Sequence, residues 1–317
     1  MRDTIVKNSI QFYEDKVVEK LRFGDLFVDR LVESEGPSFY PAYLLPEAED
    51  KAVAKEKGWL APCFIDLESG RLIMSVHTYV IQTSRHVVLV DTCVGNDKNR
   101  ASTPQWHQQK TPWLNQLKSM GIARQQVDFV LCTHLHVDHV GWNTQLVDDR
   151  WVPTFPNAEY LFHKIEYDTW KETGDSMAVT GKGGNDGCFV DSVLPVMESG
   201  QALLVDGDHQ IDENLWLEST PGHTPGHVSL HLQAGGRTAV FCGDLMHHPL
   251  QCAYPLWNSR FCADSALARL TRHRFLDDYA ETGTVILAAH FAFPTAGRIV
   301  NDGSQFCFQT IRGQNMI

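Results

Sequence analysis

The sequence has no run of about 18 apolar residues, so no segment of it reads as a membrane span. Positive charge is also scarce. Lys plus Arg number 27 against 39 Asp plus Glu, a formal net charge of −12, and so acidic a chain is not expected to bind a phosphate backbone. The opening stretch MRDTIVKNSIQFYEDKVVEK is charged throughout and lacks an apolar core followed by small residues, so it is not read as a secretory signal. None of the eight cysteines forms a C-x-x-C pair, and their spread over a long chain argues against a disulfide framework. Several lie in apolar strand-like runs (VLCTH, VFCGD), where a thiol acts as a small buried hydrophobe. They are expected to be reduced, in a cytoplasmic protein. Repeats, low-complexity tracts and Pro/Gly/Ser linkers are absent, and no G-x-G-x-x-G follows a predicted strand, which argues against a doubly wound nucleotide fold.

What remains is ordinary globular material, with 317 residues of which 43% are hydrophobic, enough for one large domain or two small ones. Residues 1–70 read as an N-terminal extension packed on a main domain, 71–317. The extension holds a short amphipathic stretch, a strand around Asp25–Arg30, the aromatic loop GPSFYPAYLLPEAED and a charged helix near Glu47–Lys57. In the main domain Leu72–Gln82 alternates as a strand does, and Val87–Val90, Val127–Cys132, Asn157–Phe162, Leu215–Glu218, Val228–Gln233, Thr238–Cys242 and Thr284–Ala289 read as further strands. Helices are expected after a Thr111 N-cap with Pro112 in first position, over Ile165–Lys171 and over Asp264–Glu281. Gly235-Gly236 and Asn301-Asp302-Gly303 mark hairpin turns, and the Gly-rich residues 173–200 read as a mobile loop. Hairpins mixed with strand–helix–strand units predict an α/β chain with two mostly antiparallel sheets and helices outside.

The informative segment is VLCTHLHVDHVG, Val130–Gly141. A buried strand ends, and three imidazoles and a carboxylate follow at His134, His136, Asp138 and His139. These are good donors for zinc and similar divalent ions. His134 and His136, two apart, can point the same way from an extended backbone, whereas Asp138 and His139 need a turn. Later strands repeat the arrangement of strand end followed by donor. Leu215–Glu218 runs into STPGHTPGH with His223 and His227, Thr238–Cys242 runs into Asp244, and Val285–Ala289 runs into His290. Loops at one edge of the sheets can then converge on a shared site. A solvated polar loop with accidental histidines fits poorly, because four donor-type residues cluster at a single strand end.

H-x-H-x-D-H, then G-H-T-P-G-H, then G-D after a strand, then a strand-terminal His together resemble the metallo-β-lactamase-fold hydrolase superfamily over about residues 72–300. The resemblance implies an αββα sandwich with a dinuclear metal site at one edge. One metal would be held by His134, His136 and His223, a second by Asp138, His139 and His290, and Asp244 would bridge both. The implied cofactors are two divalent metal ions per chain, Zn2+ first, although manganese, iron and cobalt accept the same donors. Val90-Asp91-Thr92 also matches, with Cys93 where members often carry Gly, and Asp91 is expected to support the site rather than to ligate. Seven side chains with one carboxylate shared leave each ion about four protein bonds and room for a bridging hydroxide, which paired metals make available near neutral pH. Asp138 is the candidate catalytic residue, orienting that hydroxide and passing its proton to the leaving group.

His227 is read as support for its turn. Trp142, His163, His247, His248 and Phe291 are the candidate substrate-pocket residues, each weighed against core packing or plain exposure. The short run from His223 to Asp244 leaves no room for a nuclease-type insertion, and His136 stands where flavodiiron proteins have Glu. What remains resembles the branch of N-acyl-homoserine lactonases and methyl-parathion-type hydrolases. The resemblance therefore implies a dinuclear-zinc hydrolase acting on a small lactone or ester, with a phosphotriester or an activated aryl compound as variants. A mononuclear-iron persulfide dioxygenase-like oxidoreductase is the alternative. The partner is a small-molecule substrate, with no nucleic acid and no membrane, and a homodimer is the assembly to test. Specificity is expected from the loop near Gly36–Ala48, residues 173–200 and the loop after Asp244.

Overall fold

The computed structural model describes residues 20–173, 185–303 and 305–311. The expected amphipathic stretch at the N-terminus lies outside them. Two seven-stranded sheets face each other. The first begins with β1 (Leu21–Phe23), β2 (Leu26–Pro37), β3 (Ile73–Gln82), β4 (Val87–Val90) and β5 (Phe129–Leu131). A separate hairpin of β6 (Thr144–Val147) and β7 (Arg150–Pro153) follows, and β8 (Glu159–His163) and β9 (Ala202–Val205) complete the sheet in the order β1-β2-β3-β4-β5-β8-β9. The second sheet runs in sequence order through β10 (Gln210–Asp212), β11 (Leu215–Ser219), β12 (Val228–Ala234), β13 (Arg237–Gly243), β14 (Val285–Ala288), β15 (Ala296–Asp302) and β16 (Gln305–Thr310).

Period-two alternation sorts each strand's side chains between two cores. Val88, Val90, Phe241 and Leu287 pack between the sheets. Leu89 instead joins Trp113, Leu117 and Trp170 on the outer face of the first sheet. Val240, Cys242, Ile286 and Ala288 join Leu60, Phe275 and Leu276 on the outer face of the second. Helices Trp113–Ser119 and Lys164–Thr173 cover the first face, and Asp50–Leu60 and Ser265–Tyr279 cover the second. The result is the four-layer αββα sandwich. No helix among the described residues is long and apolar enough to cross a membrane.

Antiparallel pairs predominate across the two sheets, as expected, yet both sheets are mixed, since β4–β5, β5–β8, β8–β9 and β13–β14 pair in parallel. Crossovers through helices return the chain in the same direction, which a run of strand signals alone does not reveal. Strand β2 continues well past Arg30, because its inward carboxylates are satisfied. Glu33 accepts from the Val94 and Gly95 amides at 2.9 and 3.2 Å, and Glu35 pairs with Arg30 at 2.8 Å. Residues 185–200 are not a loop but a π-helical turn, Phe189–Val193, running into helix Leu194–Glu198, with Cys188, Val193 and Val196 fully buried. The Gly-rich part before them lies outside the described residues. At the helix Trp113–Ser119, Pro112 rather than Thr111 occupies the N-cap position, because Asn96 holds the Thr111 amide at 2.7 Å.

Parallel pairing is what builds the site. β4 and β5 run side by side, as do β13 and β14, so Asp91, the His134–His139 loop, Asp244 and His290 all leave their strands at the same edge. β11 lies antiparallel to β12, which lies antiparallel to β13, and so the His223 loop also emerges there.

Candidate metal centre

The seven donors of the sequence reading gather into two adjoining groups: His134, His136, His223 and Asp244 in one, and Asp138, His139 and His290 in the other. In the first, His134 Nε2 lies 2.9 Å from His136 Nδ1 and 3.1 Å from His223 Nε2, and the latter is 2.8 Å from His136 Nδ1. Asp244 faces both groups. Its Oδ2 is 3.2 Å from His223 Nε2, and its Oδ1 is 3.1 Å from His290 Nε2 and 3.4 Å from His139 Nε2. Asp138 closes the second group, 3.6 Å from both His139 and His290.

Three of the rings are held from behind through their other nitrogen. His139 Nδ1 meets Asp91 Oδ2 at 2.9 Å. His290 Nδ1 donates to the Ser75 carbonyl at 2.9 Å. His134 Nδ1 meets Thr133 Oγ1 at 3.1 Å, and that hydroxyl is itself anchored on Asp91. Such outer partners fix ring orientation and tautomer. His227 supports the backbone, as expected: its Nδ1 meets Thr220 Oγ1 at 2.8 Å, and its Nε2 accepts the Asp244 amide at 3.0 Å. Gly243 is required there. Its φ is +49°, and a Cβ would approach His227 Nε2 to 2.5 Å. Gly141 is required for close approach, since a Cβ would come within 1.8 Å of the Val94 carbonyl oxygen.

Burial and the neighbouring imidazoles keep His134 and His223 well below the ordinary histidine value. Burial holds His136 at about 4 despite Asp138 and Asp244. In the second group burial is outweighed by carboxylates. Asp244, Asp91 and Asp138 raise His139 well above its ordinary value, and Asp244 and Asp138 raise His290 to about 9. Asp244 itself is pulled well below the carboxylate range, against its burial, by His290, His139, His247 and His223. Three neutral imidazoles thus aim lone pairs at one point beside an ionised carboxylate. Among the described residues, His139 Nε2 and Asp244 Oδ1 are buried without a hydrogen-bond partner. Converging unpaired donor atoms are costly on their own and suit a cation. The residues fit divalent metal at both groups.

Of the five pocket candidates, His247 adjoins the donors, with Nε2 3.2 Å from Asp244 Oδ2. Of the others, Trp142 and Phe291 pack in the cores. Trp142 donates to Glu33 at 2.8 Å and stacks on Trp113 in the core. Phe291 is fully buried against Phe64 and Phe308. His163 is buried at the end of β8, with Nδ1 unpartnered among the described residues. His248 donates from Nε2 to the Phe64 carbonyl at 2.8 Å and accepts the Leu250 amide on Nδ1 at 3.2 Å.

That last geometry has a pH consequence. Protonating Nδ1 would set it against the Leu250 N–H, and burial holds His248 at about 4. An unfolded histidine titrates near 6.5, so the unfolded state binds more protons between those values. His248's contribution to stability is complete above pH 6.5 and is lost as pH falls from there toward 4. Its full size is about 3 kcal/mol, of which about 2 is gone by pH 5. The His248→Gln variant should lose this part of the slope when urea midpoints at pH 7.5 and pH 5 are compared with wild type.

Reasoning from sequence missed three buried groups. Glu33 is described above. Asn185 accepts the Val137 amide at 2.9 Å and donates to the Leu135 carbonyl at 3.1 Å. Glu166, in helix Lys164–Thr173, accepts from the Leu135 amide at 3.1 Å, the Trp170 indole at 2.8 Å and the Gly226 amide at 2.9 Å. It therefore ties the His134–His136 segment to the His223 loop.

The profile of the Metallo-beta-lactamase superfamily matches residues 73–274, more than half of the chain. The chain belongs to that superfamily. Among curated relatives, an N-acyl homoserine lactonase of Bacillus sp is 24% identical over 180 residues, 53% of this chain and 62% of that protein, so the match spans less than two thirds of the relative. Two solved structures share the superfamily fold. A hydrolase called AbOPH, described as in the beta lactamase superfamily, has a TM-score of 0.77 and 23% identity and covers 95% of this chain and 100% of its own. AidC, described as a dizinc quorum-quenching lactonase in complex with a product, has a TM-score of 0.73 and 20% identity and covers 94% of this chain and 98% of its own.

Proposed function

We propose that this superfamily member is a dinuclear metal-dependent hydrolase, with zinc as its ion, that cleaves a small lactone or ester, a phosphotriester being the close variant. The observation that carries the reading is Asp244, whose carboxylate meets both donor groups, through Oδ2 to His223 and through Oδ1 to His290 and His139. Two complete groups favour two ions over the single iron of a persulfide dioxygenase-like enzyme. The lactonase likenesses support the substrate class.

Metal held by His134, His136, His223, Asp138, His139 and His290, with Asp244 shared, would supply a nucleophile from water near neutral pH and polarise the oxygen of the scissile group. The chain's own residues do the rest. Asp138, the most exposed donor at 15% of its side chain, is placed to accept the attacking water's proton and return it to the leaving group. His247, with Nε2 3.2 Å from Asp244 Oδ2 and Nδ1 without a partner among the described residues, is placed to donate an N–H to the substrate oxygen. Asp91 and Ser75 hold His139 and His290 in orientation throughout.

The test is a matched panel on zinc-loaded protein: an acyl-homoserine lactone, an aryl ester and an aryl dialkyl phosphotriester. Preference for one, lost in His134→Ala, is expected. Negligible rates on all three with full metal content would overturn the substrate class, and oxygen consumption with iron would favour the alternative. A cytoplasmic location and a homodimer belong to the same proposal, the latter checked by mass in solution from light scattering.

A further inference from the structure

An aromatic path leads away from His247. Its ring lies 6.4 Å from that of Phe261 at an interplanar angle of 30°. Phe261 is 5.9 Å from Phe39, and Phe39 stacks on Tyr43 at 5.3 Å. Phe261 and Phe39 are half-buried, and Tyr43 is exposed. The path joins two of the loops from which specificity was expected, the one near Gly36–Ala48 and the one after Asp244. The Arg260 amide, donating to the Leu44 carbonyl at 2.9 Å, seals their junction.

The Arg260 guanidinium ends the path, 3.8 Å over the Tyr43 ring. Stacking occupies its face and leaves the in-plane N–H fork free. Its one hydrogen bond among the described residues is a long 3.4 Å contact from Nη1 to the Tyr43 carbonyl, and Nε is buried with no acceptor. Nearby Arg269, by contrast, is paired with Glu47 at 2.6 Å. Among the described residues no carboxylate neutralises Arg260. In a chain with net charge −12, an unpaired guanidinium with a buried, unsatisfied N–H is a place where an oxyanion would complete the bonding.

We propose that Phe261, Phe39 and Tyr43 form the wall along which the substrate's apolar part lies, and that Arg260 receives an oxyanion at its far end. The favoured substrates are then ester-like molecules with an apolar chain or aryl group ending in a carboxylate or similar oxyanion, rather than wholly neutral ones. This rests on the hydrolase reading above and deepens it.

The test compares 4-nitrophenyl monoesters of dicarboxylic acids of graded length with neutral 4-nitrophenyl alkanoates of the same lengths, on zinc-loaded full-length protein. Wild type is expected to prefer the anionic series at one length by about tenfold in kcat/KM, the scale of a charge-assisted hydrogen bond. The anionic-to-neutral ratio should fall to about one in Arg260→Gln and be partly kept in Arg260→Lys, which separates lost charge from damaged packing. Phe261→Ala should weaken the dependence on length in both series. Calorimetric binding of the free dicarboxylate at the preferred length reads the subsite without turnover. If no ester is cleaved yet the dicarboxylate binds in an Arg260-dependent way, the hydrolase reading fails and the subsite stands. If esters are cleaved with a ratio within about twofold of one at every length, the subsite is overturned and the hydrolase reading stands.

Discussion

Asp244→Asn should lower kcat/KM by at least about three orders of magnitude, or about 4 kcal/mol of transition-state stabilisation, and should reduce metal retention at both donor groups. Among the described residues, Asp244 is the side chain that faces both groups, at 3.2 Å from His223 Nε2 and 3.1 Å from His290 Nε2. Asparagine keeps the shape but removes the negative charge and turns one acceptor into an N–H donor, which one of the two groups must then face. Backbone geometry should survive, because the Asp244 amide still has His227 Nε2 to accept it. Metal content by mass spectrometry and rates on whichever ester is the best substrate check this together. A variant that keeps two ions and near-normal rates would show that Asp244 does not bridge.

The second large effect is at Glu166, which touches no donor. Its carboxylate accepts from Leu135, Trp170 and Gly226. It thus holds the backbone between His134 and His136 against the loop carrying His223. Glu166→Gln turns an amide N–H toward one of these donors and should weaken metal binding by about 10- to 100-fold, as outer partners of metal sites do. The loss should fall on the His134, His136 and His223 group, with the Asp138, His139 and His290 group less affected. Glu166→Ala leaves several buried N–H groups without acceptors and should destabilise the fold by about 3–5 kcal/mol. Zinc titration against a competing chelator reads the first effect, and urea unfolding reads the second. Equal weakening of both groups in Glu166→Gln would mean a general loss of stability rather than the positioning of one loop.

The sequence made the donor set readable because each donor stands directly after a strand end in a short local pattern. Two-residue spacing in His134-Leu135-His136 already implies a shared direction, and the structure brings those inward nitrogens within 2.9 Å. Glu33 and Glu166 carry no comparable signal. Each is a lone acidic residue whose function is to accept N–H groups more than 25 positions away, and only the folded chain supplies those partners. Trp142 and Phe291 misled for the opposite reason. They are sequence neighbours of the motif and of His290, yet period-two alternation and the local turn send their side chains into the cores behind the site. The mixed pairing of the first sheet was equally hidden. Strand signals show where β4, β5, β8 and β9 lie, but their parallel order comes from helical crossovers that bury Trp113 and Trp170.

The most direct test of the two-ion centre is anomalous diffraction at the zinc edge from crystals of zinc-loaded protein. Two peaks per chain are expected, one among His134, His136 and His223, the other among Asp138, His139 and His290, with Asp244 in contact with both. A single peak at full zinc occupancy, or peaks remote from Asp244, would contradict the account.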